Sequence, residues 1–168
     1  MKKYLVIGNP IEHSLSPEIH NYWLKKNNIN AVYEKRKLNG DDIIELIDEI
    51  KNDKISGVNV TVPFKRDVIP FLDDLSKEAN ITQSVNTIFF KNNKITGHNT
   101  DIAGFQISLK DTEFNLNNKK VLILGSGGVV PSIIYALEKY GVSQITICNR
   151  TKSCLLYTSP SPRDTNDS

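Results

Sequence analysis

The chain has 168 residues, enough for one ordinary domain or one and a part. Hydrophobic residues make up 39% and charged residues 24%, and 21 basic side chains are interspersed with 19 acidic ones for a net charge of +2. That balance fits a globular protein and excludes a disordered chain, and no apolar run approaches a membrane span. There is no basic stripe interleaved with aromatics, so nucleic acid is not an expected partner. In the opening MKKYLVIGNP, Asn9-Pro10 stops the apolar run short of a signal-peptide core. Cys148 and Cys154 form neither a disulfide framework nor a metal pattern, and His13, His20 and His98 lack ligand spacing. A reducing, cytoplasmic setting without a bound metal is the expectation.

Tyr4 to Ile7 reads as a first buried strand, with Gly8-Asn9-Pro10 as the turn after it. In the next stretch, SLSPEIHNYWLKKNN, Ser16-Pro17 has the form of a helix cap followed by proline at the first helical position. Ile19, Tyr22 and Trp23 then recur at helical spacing, predicting a helix to about Asn27. Ser14 and Ser16 therefore sit beside a helix N-terminus, a place that favours anions. Taken alone, two such serines are better explained by capping and solvation.

Val32 to Leu38 alternates as a second strand, and Asp41 to Lys51 predicts a helix burying Ile43, Ile44, Leu46, Ile47 and Ile50. The stretch GVNVTVPFK, Gly57 to Lys65, is the one the chain is organised around. Val58, Val60 and Val62 alternate with Asn59 and Thr61, so the two polar residues share a strand face. Pro63 ends the ladder and Lys65 follows at once, at the end of a sheet where α/β proteins hold ligands. Arg66 to Ile81 is helical in pattern with an interruption at Pro70, and Val85 to Phe90 and Lys94 to His98 form a hairpin around Asn92-Asn93. A helix then starts after Asn99-Thr100-Asp101 and runs to about Asp111.

These elements predict a mixed-sheet α/β domain over residues 1–100 and a linking helix and loop over 101–118. The pattern then restarts. Val121 to Leu124 is a strand, Gly125-Ser126-Gly127-Gly128 a glycine turn, Val129 to Tyr140 a helix, and Gln144 to Cys148 a second strand. This is one βαβ unit, the opening of a Rossmann-type domain over residues 119–152. Gly125 permits the tight turn, and Gly127 lets the backbone approach a pyrophosphate at the helix N-terminus. The second strand ends in Asn149-Arg150-Thr151 and Lys152, a donor-rich cluster suited to a 2′-phosphate, which favours NADP(H) over NAD.

SLSP, NVTVPFK, SVNT, NTD followed by Gly104, the G-S-G-G turn and NRT occur in this order over residues 1–152. Together they resemble the shikimate dehydrogenase family. The resemblance implies NADPH-dependent, reversible reduction of 3-dehydroshikimate to shikimate, an oxidoreductase step on the way to chorismate and the aromatic amino acids. It makes Ser14 and Ser16 the pair that binds the substrate carboxylate. Asn59, Thr61, Asn86 and Asp101 become the groups that hold the ring hydroxyls, and Lys65 and Asp101 the catalytic pair. Interconverting a carbonyl and a secondary alcohol needs a group that moves the hydroxyl proton, and a lysine placed beside a carboxylate can do so. Quinate as a further substrate, and a module that binds a polyhydroxy acid without turnover, remain open alternatives, as does a monomer or a homodimer.

Val129-Val130-Pro131-Ser132 departs from the family, which has small residues and a basic one here. From Ser153 the composition turns serine- and proline-rich, so residues 153–168 read as a foreign, disordered tail. With only the first βαβ unit of a dinucleotide domain in hand, the chain reads as a truncated, inactive family member whose second sheet leaves an apolar face uncovered.

Overall fold

In the computed structural model the described residues are 1–151, so Lys152 and the expected tail at 153–168 lie outside them. The chain divides into two compact units, Met1–Thr100 and a second beginning at Asp101.

The first unit is built on a six-stranded mixed sheet in the order β2-β1-β3-β5-β6-β4. Strand β1 (Lys2–Gly8) lies between β2 (Ala31–Lys37) and β3 (Gly57–Val60) and is parallel to both. Leu5 to Gly8 are all buried, as expected of a strand covered on both faces. On one side Leu5 and Ile7 join the main core with α2 (Ile43–Lys51), and on the other Val6 packs with Ile11, Tyr33 and Leu24. The hairpin β5 (Thr87–Lys91) and β6 (Lys94–His98) pairs antiparallel to β3. Asn92 and Asn93 both take positive φ at its tip, the conformation a two-residue primed turn requires.

Tertiary packing corrects two expectations and decides one point that periodicity left open. Arg66 to Ile81 is not a helix around Pro70 but a series of turns, a 3₁₀ turn at Ile69–Phe71, a strand β4 (Asp74–Leu75) and a short helix α3 (Lys77–Thr82). Asp73 decides this locally: its N–H donates to Ile95 O (2.9 Å) and its carboxylate accepts from Ile95 N–H (2.7 Å), drawing the segment onto the sheet edge. Second, helix α1 (Ser16–Lys26) leaves Ile19, Tyr22 and Trp23 exposed and turns His20, Asn21 and Leu24 inward. Third, Ile44 of α2 is 58% exposed, because the buried stripe is Ile43, Leu46, Ile47 and Ile50 at i, i+3, i+4 and i+7.

The second unit packs α4 (Asp101–Asp111) and α5 (Val130–Lys139) with the parallel pair β7 (Lys120–Leu124) and β8 (Gln144–Cys148). Phe105 and Leu109 of α4 join Leu116, Leu137 and Val142 in its core, and Tyr140 donates its hydroxyl to Gln106 O at 2.8 Å. Helix α4 is therefore part of this unit's packing. Val121 and Ile123 face that core, while Leu122 and Leu124 are 58% and 79% exposed on the opposite face. No helix among the described residues is long and apolar enough to cross a membrane.

Candidate functional site

The carboxyl ends of the parallel strands β1 and β3 carry most of the predicted residues of the first unit, at the sheet end where such folds hold ligands. Strand β3 stops at Val60, but Thr61 N–H still donates to Ile7 O at 2.9 Å. Val62, expected on the buried face, is exposed, since the chain leaves the sheet at Thr61 and turns through to Val68. Buried Phe64 and Val68 anchor that turn, and Val85 N–H donates to Lys65 O at 2.8 Å. Half-buried Lys65 is thereby tied to the residue that precedes Asn86.

A cavity of about 290 Å³ opens here, lined by Val6, Pro10, Ile11, His13, Ser14, Ser16 and Thr61. Ser16 is not the cap that the sequence suggests. It is the first helical residue, Leu15 occupies the cap position with no side-chain cap bond, and Pro17 moves to the second position. Ser14 takes over part of the capping role, because its Oγ accepts the Ser16 N–H at 3.3 Å. A hydroxyl that accepts from the helix start keeps its own proton to offer an anion. Both serines and Thr61 thus line one concavity beside a helix N-terminus.

Gly8 packs closely against Thr61 and Ile11, two of the residues that line this cavity. A Cβ there would lie 2.7 Å from Thr61 Cγ2, 3.0 Å from Ile11 Cδ1 and 3.1 Å from Val62 O, so Gly8→Ala must push β1 and the Thr61 turn apart. The expected cost is about 1–3 kcal/mol, the usual range for overpacking, read as a lower midpoint in thermal unfolding.

Asn59 and Asn86 are both engaged in hydrogen bonds within the first unit. Asn59 Oδ1 accepts the Tyr33 hydroxyl at 2.6 Å, and its Nδ2 donates to Thr87 Oγ1 (3.1 Å) and Asn86 O (3.3 Å). Asn86 Nδ2 donates to Thr100 Oγ1 (2.8 Å) and its Oδ1 accepts Thr100 N–H (3.0 Å). Tyr33 and Thr87 are residues that sequence reading passed over; both sit in strands whose alternation explains them as packing. Burial pushes the Tyr33 hydroxyl up to about 12, so it stays a donor at physiological pH. His20 stacks on the Tyr33 ring at 4.1 Å, and burial lowers its pKa, favouring the neutral imidazole.

Asp101 opens α4 in the second unit, directly after Thr100. There Gly125 has φ +106°, a conformation side chains rarely adopt, and its N–H donates to Cys148 O at 2.7 Å, tying the turn to β8. Nothing stands within 4 Å of a Cβ built on Gly127, so its backbone is open to a close-lying group. Ser126 and Gly128 complete the turn before α5. Beyond β8, Asn149 Nδ2 donates to Thr151 O at 2.9 Å, and Arg150 is exposed. A glycine turn at one strand end and a guanidinium at the end of the next suit a dinucleotide carrying an extra phosphate. Buried Val130 and Ser132 lie in the first turn of α5.

A cavity over parallel strand ends in one unit and a glycine-turn βαβ in the next give this α/β chain the organisation of a ligand-binding sheet followed by the opening of a dinucleotide-binding fold. Residues 6–88 match the family model of the shikimate dehydrogenase substrate binding domain. The first unit is thus similar to the substrate binding domain of shikimate dehydrogenases. The chain is 60% identical over 151 residues to the shikimate dehydrogenase (NADP(+)) of Pelagibacter ubique, covering 90% of this chain and 57% of that one. The crystal structure of shikimate dehydrogenase from Aquifex aeolicus superposes with a TM-score of 0.85 at 40% identity, covering 93% of this chain and 58% of the other. The Thermus thermophilus shikimate 5-dehydrogenase, in complex with NADP(H) and shikimate, superposes with a TM-score of 0.82 at 31% identity over 93% of this chain and 59% of that one. The chain therefore spans a little over half the length of the relatives it matches.

Proposed function

We propose that this chain binds shikimate through its first unit and serves the NADP-dependent interconversion of 3-dehydroshikimate and shikimate. The observation that carries the reading is the cavity in which Ser14, Ser16 and Thr61 converge beside the N-terminus of α1. Two hydroxyls and a helix start are what a carboxylate needs, and the ring then extends toward the turn that holds Lys65. The names of its relatives, at up to 60% identity, support the same substrate and cofactor.

In this reading Ser14 and Ser16 hold the carboxylate, and Asn59, Thr61, Asn86 and Asp101 distinguish the ring hydroxyls. Lys65 supplies the proton to the carbonyl oxygen during reduction and removes it during oxidation, and Asp101 orients the lysine. Gly125, Ser126, Gly127 and Gly128 would hold the pyrophosphate of NADP(H), with Asn149, Arg150 and Thr151 at its 2′-phosphate. The bound dinucleotide supplies or accepts the hydride. A site that hydrogen-bonds each hydroxyl rejects analogues lacking one, because its own polar groups are then left unpaired.

Calorimetric titration of the 168-residue chain with shikimate tests the proposal. The expected result is saturable binding that weakens about 100-fold in Ser14→Ala/Ser16→Ala, at about 1.5 kcal/mol for each hydrogen bond to a charged group. A folded chain that takes up no shikimate would remove the substrate assignment. NADPH titrated separately reports on the second unit alone.

A further inference from the structure

Side-chain hydrogen bonds run in one sense from the sheet edge to the end of the first unit. Tyr33 Oη donates to Asn59 Oδ1 (2.6 Å), Asn59 Nδ2 to Thr87 Oγ1 (3.1 Å), Thr87 Oγ1 to Asn86 Oδ1 (3.1 Å), and Asn86 Nδ2 to Thr100 Oγ1 (2.8 Å). Amide oxygens and nitrogens are alike in shape, so such a chain has a definite polarity only where backbone groups impose it. Here two do. The Asn86 carbonyl can only accept, which places Asn59 Nδ2 toward β5 and leaves Oδ1 toward Tyr33. Thr100 N–H can only donate, which identifies Asn86 Oδ1. Tyr33 must then be a donor, and Thr87 must pass a proton on to Asn86.

We propose that the Tyr33 hydroxyl is a positioning group that holds Asn59 and, through Thr87, Asn86 and Thr100 in this single arrangement. Tyr33 lies on the edge strand β2 and reaches past β1 to β3, since Val6 pairs with Asn59 and Tyr4 with Tyr33. It is rigidly placed. Asn21 of α1 bonds both its N–H (2.9 Å) and its carbonyl (2.7 Å), His20 stacks on its ring, and only 5% of it is exposed. A tyrosine so held and buried is not needed for packing alone, because phenylalanine has the same ring. The hydroxyl instead completes Asn59, whose two amide hydrogens already point into β5 and whose Oδ1 needs a donor. Bonds aligned in one sense polarise one another, so loss of the first link loosens the rest.

The direct test needs no ligand. In Tyr33→Phe, the side-chain amide signals of Asn59 and Asn86 in nitrogen–proton correlation spectra of the full chain should shift, while those of Asn21 stay in place. Asn21 bonds the Tyr33 backbone rather than its hydroxyl and so reports on the placement of the residue. A second variant, Thr87→Val, cuts the relay in the middle and should move Asn86 again. If the Asn86 amide is unmoved in both folded variants, the positioning role is refuted. The consequence for binding rests on the shikimate reading: Tyr33→Phe should weaken shikimate about tenfold, the effect of one buried hydrogen bond. Shifted amides with undiminished shikimate affinity would refute a role in the site. Shifted amides in a chain whose unaltered form binds no shikimate would leave the relay standing and overturn the substrate assignment instead.

Discussion

Lys65→Ala is expected to lower turnover of 3-dehydroshikimate with NADPH about 10²- to 10⁴-fold, the range contributed by a general acid–base group. The lysine stands on a turn pinned by buried Phe64 and Val68, and its carbonyl is held by Val85 N–H at 2.8 Å. A side chain on so fixed a base is delivered to one place, which proton transfer over hydrogen-bond distance requires. Because the chain spans 57% of the Pelagibacter ubique relative, the measurement is best made on a hybrid in which that relative supplies the sequence beyond residue 151. The loss should fall on kcat, with shikimate binding by the 168-residue chain reduced far less. A kcat within a few-fold of the unaltered hybrid would mean that Lys65 only solvates the turn.

Leu46→Ala should cost about 2–5 kcal/mol, against a stability of about 5–15 kcal/mol for a typical domain. Leu46 is 0% exposed and packs in the core that contains Leu5, Ile7, Val58 and Ile88, the sheet under the cavity. Removing its branched end leaves a void that close-packed neighbours fill only in part. Ile44→Ala, two residues away and 58% exposed, should change stability by no more than about 0.5 kcal/mol. Urea unfolding with an unchanged slope reads both. Equal losses at the two positions would mean that α2 presents a different face to the sheet.

The apolar face of the second unit has the same physical origin as its core. Strand β7 alternates, so burying Val121 and Ile123 under the helices turns Leu122 and Leu124 outward. That face was legible in VLIL before any coordinates, since a parallel pair of this type carries apolar residues on both sides.

Periodicity and punctuation determined most of the elements. Val58-Asn59-Val60-Thr61 puts two polar groups on one strand face, Pro63 stops the ladder, Asn92-Asn93 makes the hairpin, and Gly125 supplies the one backbone angle its turn needs. These are local properties, each decided within a few residues. What only tertiary structure decided is which side of an element meets the core and which polar group meets another. Ile19, Tyr22 and Trp23 have helical spacing, yet Asn21 bonded to the Tyr33 backbone turns α1 so that Leu24 and His20 face inward. Ser16 has the form of a cap, yet Ser14 accepts its N–H and both residues line one cavity. Tyr33, Asn59, the adjacent pair Asn86 and Thr87, and Thr100 are far apart along the chain. Sheet register alone brings them into a line, because a hydrogen bond depends on positions in space that no local pattern encodes.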